Sequence, residues 1–259
     1  MARCRRARRH RRRAAPVLAQ PAARLQGAVR ADDVRAAMNS CRAVVFDMDG
    51  LMLDTERVAL ECWLDTARAT GWALSRDDCL AMVGLDQQAS ERVLRERAGP
   101  GFPLREISDR AKDVYLDRLR TEGIRLKPGL VELLDWLAER EVPVAVATSS
   151  RHLMAMEKLA LAGLCERFPV IVCGDQVPQG KPAPFVYREA VTQLGADPAE
   201  CIALEDSDIG LRAAHAAGLR CIVVPDLRPP AVEYAPLAHA ILPSLREAHA
   251  LIERFLGQA

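Results

Sequence analysis

The sequence lacks any apolar run of the roughly 20 residues that a membrane-spanning helix requires. None of its eight cysteines forms a Cys-x-x-Cys pair, so neither a cysteine-based zinc site nor a thioredoxin-type redox motif is indicated. Half of the 259 residues are hydrophobic, which is typical of a globular chain of one or two domains. Cys173, Cys201 and Cys221 lie in or beside apolar, strand-like runs and are predicted to be buried thiols. We therefore expect a cytoplasmic protein with no membrane partner.

The first 30 residues contain no acidic residue but ten arginines. Apart from these arginines, the chain has 26 basic and 35 acidic residues, so its body is acidic. An acidic body repels polyanions, and we expect no nucleic-acid partner. Residues 1–38 are predicted to be a basic, disordered arm. Proline, glutamine and arginine interrupt residues 14–29, which leaves no continuous apolar region for an export signal.

Three interpretations of this arm stay open. It is a tether for nucleic acid, an organelle-type transit sequence, or an extension upstream of the true start that the cell does not make. Met38 lies only a few residues before the first predicted strand, which favours the third interpretation. N-terminal sequencing of protein expressed from its native locus tests this, and a mature chain that begins at Met1 would contradict it.

The pattern of apolar residues divides the remaining chain into two kinds of structure. After a first strand over 43–46, residues 55–127 show helical spacing and no convincing strand, which predicts an inserted, all-helical cap domain. Residues 39–54 and 128–259 are predicted to form an α/β core with a Rossmann-like, doubly wound parallel sheet, because strands alternate there with helices. The predicted later strands are 142–147, 170–173, 201–204 and 221–224, and the predicted helices are 130–140, 153–161, 184–194 and 209–217.

Polar side chains follow four of these predicted strands. They are Asp47 and Asp49 after the first strand, Thr148, Ser149 and Ser150 after the second, Lys181 between Gly180 and Pro182 after the third, and Glu205 and Asp206 after the fourth. Parallel strands bring their carboxyl ends to one edge of the sheet, where open α/β sheets bind their ligands. Each segment also has a plainer interpretation. The acids are common in turns, the hydroxyls often cap helices, and a lone lysine is usually a solvated charge.

The charges of this group suggest what it binds. Carboxylates within about 4 Å of one another repel by a few kcal/mol per pair at an effective dielectric constant near 20, so they need a divalent cation. A small set of oxygen ligands that shares its metal with a phosphate fits Mg²⁺. With Mg²⁺ on one side and Lys181 on the other, a phosphate dianion becomes a favoured ligand.

The four segments, in this order and spacing, resemble the motifs of the haloacid dehalogenase superfamily. The resemblance covers residues 42 to about 245 and is to the helical-cap branch (C1, subfamily IA) of phosphatases and β-phosphoglucomutase-like enzymes. It implies that Asp47 is a nucleophile that forms an aspartyl-phosphate and that Asp49 is the acid and base. Thr148 and Lys181, with Ser149, are expected to bind the phosphate. The implied Mg²⁺ ligands are Asp47, the main-chain carbonyl of Asp49, and Asp206, with Glu205 as a ligand or an outer partner.

We expect a monomeric, Mg²⁺-dependent phosphatase that hydrolyses a small phosphorylated metabolite, such as a sugar phosphate. A dehalogenase is disfavoured because Asp49 is present. The main alternative is a β-phosphoglucomutase-like mutase, but Ala59 stands where the mutase pattern has a histidine. A phosphate- or nucleic-acid-binding protein without enzyme activity, using the arm, is the third possibility. Gly84, in the segment 83–85, is expected to contact substrate. Arg57 lies in a segment that could face the site, and its plainer interpretation is a surface or hinge position.

Overall fold

The structure is a computed structural model that describes residues 41–82 and 87–256. The predicted arm, residues 1–38, and Gly84 of the predicted substrate segment lie outside the described residues. Their predicted roles therefore stay predictions.

A six-stranded parallel sheet forms the centre of the protein, with the strand order β3-β2-β1-β4-β5-β6. The strands are β1 (Ala43–Phe46), β2 (Val144–Ala147), β3 (Val170–Val172), β4 (Cys201–Glu205), β5 (Arg220–Val223) and β6 (Ala240–Ile241). In the register of the sheet, Val44 of β1 lies beside Val144 of β2 and Ile202 of β4. This arrangement confirms the predicted α/β fold with a doubly wound parallel sheet.

The sheet is covered on both faces, which explains the continuous apolar runs in its strands. Successive residues of β1 enter two different hydrophobic clusters, Val44 and Phe46 in one and Ala43 and Val45 in the other. All four side chains are fully buried. The predicted burial of Cys173, Cys201 and Cys221 is also confirmed.

Nine α-helices occur in the described part of the chain. They are α1 (Thr55–Ala69), α2 (Arg76–Leu80), α3 (Gln87–Ala98), α4 (Leu104–Glu122), α5 (Leu130–Glu139), α6 (His152–Leu161), α7 (Phe185–Leu194), α8 (Asp208–Ala217) and α9 (Leu245–Leu256). None of these helices is both long and apolar enough to cross a membrane.

Four predicted strands were wrong at their edges, and two elements were missed. Strand β3 ends one residue earlier than predicted, and β5 begins and ends one residue earlier, at Arg220–Val223. Strand β2 begins two residues later than predicted, and β4 extends one residue further, to Glu205. The strand Ala240–Ile241 was not predicted because two residues carry no periodic signal. The final helix, Leu245–Leu256, was also missed, although its buried Leu245, Ala248 and Ile252 have helical spacing.

Helices α1 to α4 lie between β1 and α5 in the chain and form the region that we call the helical insert, Thr55–Glu122. Helices α1 and α4 pack against each other. The insert has its own hydrophobic cluster around Ala67, Leu94 and Ile107. It occupies the region predicted as a cap, and its independence as a domain stays a prediction.

The chain enters and leaves the helical insert side by side. The amide of Asp54 donates a hydrogen bond to the carbonyl of Arg125 at 2.9 Å, and the amide of Lys127 donates one to the carbonyl of Met52 at 2.8 Å. These two bonds join the two linkers next to the end of β1, and thus next to the edge of the sheet where the predicted site residues lie.

Candidate active site

A cavity of about 390 Å³ lies beyond the carboxyl ends of β1, β2 and β4. This is where the strand order reverses, and such a point is the usual ligand site of a doubly wound sheet. Six of the predicted site residues line the cavity: Asp47, Asp49, Thr148, Ser149, Lys181 and Asp206. Glu205 lies beneath them and is fully buried. The structure thus brings together residues that are up to 159 positions apart in the sequence, from Asp47 to Asp206.

Lys181 joins two of the acids at the strand ends. Its Nζ lies 2.5 Å from Oδ1 of Asp47 and 2.6 Å from Oε1 of Glu205. The lysine side chain is 2% exposed, because the loop after β3 carries it under the edge of the sheet. A buried ammonium between two carboxylates is a fixed charge, unlike the solvated lysine of the plainer interpretation.

Glu205 has a hydrogen-bond donor for each of its oxygens. Tyr187 and Lys181 donate to Oε1, each at 2.6 Å. The amide of Asp206 and the hydroxyl of Ser207 donate to Oε2 at 3.1 and 3.2 Å. Because its oxygens are engaged in this way, Glu205 is well placed to orient Lys181 and Asp206.

Asp47, Glu205 and Asp206 form an acidic cluster, in which one carboxylate oxygen of each lies within 4.8 Å of the others. Burial raises the pKa of Asp47 well above its usual value, and the charge of Lys181 opposes this rise only in part. Burial and the charge of Asp47 likewise raise the pKa of Asp206. Buried, mutually repelling carboxylates are stabilised by a cation, and three oxygen donors beside an open cavity fit Mg²⁺.

Asp49 is held apart from this acidic cluster. Its Oδ1 accepts hydrogen bonds from Thr55 Oγ1 at 2.7 Å and from Lys158 Nζ at 2.6 Å, and its Oδ2 accepts one from Ser150 Oγ at 2.8 Å. Burial raises the pKa of Asp49, but Lys158 and the three hydrogen bonds together outweigh it and lower the pKa. The side chain of Asp49 is therefore an anchored carboxylate. The implied role of its main-chain carbonyl as a metal ligand stays a prediction.

The hydroxyl segment after β2 does not cap the following helix, so the helix-cap interpretation was wrong for these residues. Helix α6 begins at His152, whose amide donates instead to Asp175 Oδ1 at 2.8 Å. Thr148 is buried, and its Oγ1 accepts a hydrogen bond from the amide of Ser150 at 3.0 Å. By contrast, Ser207 does cap α8, by accepting a hydrogen bond from the amide of Gly210.

The sequence did not predict the positions of Lys158, Tyr187 and Glu56 at or behind the cavity. Lys158 lies on the buried face of α6 with Ala155 and Leu159, and a lysine at such an apolar position was the available signal. Glu56 lines the cavity, and burial together with the charge of Asp49 raises its pKa to about 7. Tyr187 is a fully buried phenol with no distinctive sequence context.

Arg57 is placed at the linker into the helical insert. It forms ion pairs with Asp54 at 2.7 Å and with Glu61 at 2.5 Å, and it is not among the residues that line the cavity. This agrees with the hinge interpretation of Arg57.

Residues 44–224 match the family model described as haloacid dehalogenase-like hydrolase. The chain is 35% identical over 198 residues to protein CbbY of Rhodobacter capsulatus, and this match covers 71% of this chain and 85% of that protein. It is 31% identical over 180 residues to the phosphorylated carbohydrates phosphatase of Thermotoga maritima, and this match covers 70% of this chain and 83% of that protein. The crystal structure of CbbY from Rhodobacter sphaeroides in complex with phosphate superposes with a TM-score of 0.65 at 30% identity, covering 80% of this chain and 96% of that one. These similarities confirm the superfamily and the class of enzyme expected from the sequence.

Proposed function

This chain belongs to the haloacid dehalogenase-like hydrolases, and we propose that it is a Mg²⁺-dependent phosphatase of small phosphorylated sugars that forms an aspartyl-phosphate on Asp47. The observation that carries the proposal is the position of the Asp47 carboxylate. It lies at the end of β1 on the cavity wall, with Lys181 Nζ 2.5 Å away and the other two acids of the acidic cluster, Glu205 and Asp206, beside it. With Mg²⁺ bound at the acidic cluster, the Asp47 carboxylate would lie between two positive charges, which suits it to attack a phosphate dianion.

The phosphate group would be bound by Lys181, Thr148 and Ser149, which all line the cavity. Asp47 and Asp206 would hold Mg²⁺, and Glu205 would orient both Asp206 and Lys181 through its hydrogen bonds. The metal would neutralise negative charge on the phosphate and on the acidic cluster. The chain itself supplies in-line positioning of the nucleophile and a fixed ammonium.

The reaction has two transfers. In the first, an oxygen of Asp47 forms a bond to phosphorus and the bond between phosphorus and the ester oxygen breaks. Asp49, a carboxylate in the free protein, takes up a proton as the phosphate dianion binds beside it and gives that proton to the leaving alcohol. In the second, Asp49 as a carboxylate takes a proton from water, the water oxygen bonds to phosphorus, and the acyl-phosphate bond breaks. Asp47 is regenerated and inorganic phosphate leaves.

The relatives and the size of the cavity support the proposed substrate class. One relative is a phosphorylated carbohydrates phosphatase, and a cavity of about 390 Å³ is at the lower end of the range for small-molecule sites. The mutase alternative is weaker because Ala59, on the first helix of the insert, has no group that binds or turns a sugar phosphate. The helical insert would close over the cavity and exclude bulk water during the first transfer.

A panel of phosphorylated metabolites, ranked by kcat/KM in Mg²⁺, tests this function. We expect hexose and pentose phosphates to rank highest, with release of inorganic phosphate that EDTA abolishes and added Mg²⁺ restores. Accumulation of an isomeric sugar phosphate without inorganic phosphate would favour the mutase. Absence of hydrolysis of every ester, including p-nitrophenyl phosphate, would favour the binding protein without enzyme activity.

A further inference from the structure

We propose that Lys158 is a positioning residue that anchors one oxygen of Asp49, so that the other oxygen exchanges the proton with the leaving group. The inference rests on the proposed function, in which Asp49 is the acid and base. It gives a role in catalysis to a second buried lysine besides Lys181. Lys158 acts through Asp49 and does not contact the phosphate.

The two oxygens of Asp49 have different surroundings. Oδ1 accepts from Lys158 Nζ at 2.6 Å and from Thr55 Oγ1 at 2.7 Å, so an ammonium and a hydroxyl both hold it. Oδ2 accepts only one hydrogen bond among those described, from the Ser150 hydroxyl at 2.8 Å. A hydroxyl can turn its proton away at little cost, whereas breaking a buried ion pair costs several kcal/mol. Oδ2 is therefore the oxygen that is available to a substrate.

Lys158 stands behind Asp49 and not in the cavity. Its side chain is 7% exposed, and it is absent from the residues that line the cavity, whereas Asp49 and Ser150 are present there. A lysine in this place has no route to the phosphate except through Asp49. Its charge therefore acts through that carboxylate, by fixing its orientation and by lowering its pKa.

The other side of Lys158 faces the helical insert. Its Nζ lies 5.4 Å from the centre of the Tyr115 ring, which belongs to α4. Nearby, Arg120 of α4 forms an ion pair with Glu157 of α6 at 2.6 Å. Lys158 thus lies between the acid of the core and a helix of the insert, and packing of the insert on α6 holds the lysine in place.

In the first transfer, the proton on Oδ2 passes to the ester oxygen while the bond between that oxygen and phosphorus breaks. Lys158 keeps all its protons throughout and stays on Oδ1. Loss of Lys158 would leave Oδ1 of Asp49 held by the Thr55 hydroxyl alone, so the carboxyl group would be less firmly oriented and Oδ2 would be misplaced more often at the moment of proton transfer. The loss should matter most for a basic leaving group, which needs the proton.

Phenyl phosphate and p-nitrophenyl phosphate test this, since phenoxide is a more basic leaving group than p-nitrophenolate. Lys158→Met and Lys158→Gln would be compared with wild type by rapid quench in Mg²⁺, measuring release of the phenol in the first turnover. We expect release of phenol to slow about 10- to 100-fold and release of p-nitrophenol less than about threefold, with KM within about twofold for both. Lys158→Gln serves if the methionine variant does not fold. The matched control is Lys112→Met, an exposed lysine of α4, which should leave both rates unchanged.

Equal losses with both esters would mean that Lys158 is merely structural and would overturn the proposal, as would unchanged rates with both. Asp49→Asn separates this inference from the proposed function. If Asp49→Asn shows the leaving-group dependence and the Lys158 variants do not, only the role of Lys158 fails. If Asp49→Asn shows no such dependence, Asp49 is not the acid, and both fail.

Discussion

Gly210 leaves the space that the carboxylate of Glu205 occupies. A Cβ atom at position 210 would lie 1.9 Å from the carboxylate carbon of Glu205, well inside any allowed contact. Glu205 cannot move aside at low cost, because Lys181, Tyr187 and Ser207 hold its oxygens. Glycine at position 210 therefore leaves room for Glu205, and Glu205 in turn holds the buried Lys181 in place.

Gly210→Ala should therefore destabilise the protein and impair catalysis together. We expect a loss of roughly 1–3 kcal/mol in the free energy of unfolding, as for overpacked cores, and a fall in kcat because Lys181 is displaced with Glu205. Urea denaturation and steady-state kinetics measure the two effects. Gly101→Ala is the control, since a Cβ there meets only Trp72, at 3.7 Å. If Gly210→Ala is as stable as wild type, α8 can shift to make room for the added methyl group, and the prediction is wrong.

Asp47→Asn should abolish turnover, because an amide is a poor nucleophile and cannot form the aspartyl-phosphate. Mass spectrometry of rapidly quenched wild-type enzyme should show one added phosphoryl group on Asp47, and the variant should show none. Asp113→Asn, an exposed acid on α4, controls for the change of charge. Normal hydrolysis by Asp47→Asn would refute the covalent route.

Asp49→Asn and Asp206→Asn should separate proton transfer from metal binding. Asp49→Asn is expected to lower kcat by about 10²- to 10⁴-fold and to leave Mg²⁺ affinity nearly unchanged, because its side chain lies outside the acidic cluster. Asp206→Asn is expected to weaken Mg²⁺ binding, which calorimetric titration measures. Equal weakening of Mg²⁺ binding in both variants would show that the Asp49 side chain is also a ligand.

Glu56 should make stability depend on pH in the metal-free protein. Burial raises its pKa to about 7 from an ordinary value of 4.5, so between these values the folded state holds a proton that the unfolded state has released. Stability from this group is therefore lost as pH rises from about 4.5 to 7. Relative to wild type, Glu56→Gln should gain roughly 3 kcal/mol over this interval and no more above it.

Urea denaturation in EDTA at several pH values measures this difference between Glu56→Gln and wild type. A difference in the free energy of unfolding that stays constant from pH 5 to pH 8 would contradict the raised pKa of Glu56.

The strand ends could be predicted from the sequence because apolar runs followed by acids, hydroxyls or a confined lysine carry a local signal. That signal predicted that Asp47, Thr148 and Asp206 lie close together, and in the structure all three line one cavity. Their roles in catalysis and in binding stay predictions.

The partners of these residues were harder to predict, because they depend on packing between distant elements. Lys158 meets Asp49 only because α6 lies against the end of β1, and the sequence separates the two by 109 positions. The contact of Lys158 with Tyr115 depends in addition on how the insert lies on the core. The wall formed by residues 227–230 after β5 has no motif of its own.

The paired linkers at Met52–Lys127 and Asp54–Arg125 have an evolutionary consequence. A segment that departs and returns through adjacent positions can be lengthened, trimmed or exchanged while the strands and their terminal carboxylates stay where they are. Selection can then retune which metabolite is admitted by altering the helices alone, and the bond-breaking chemistry is inherited unchanged.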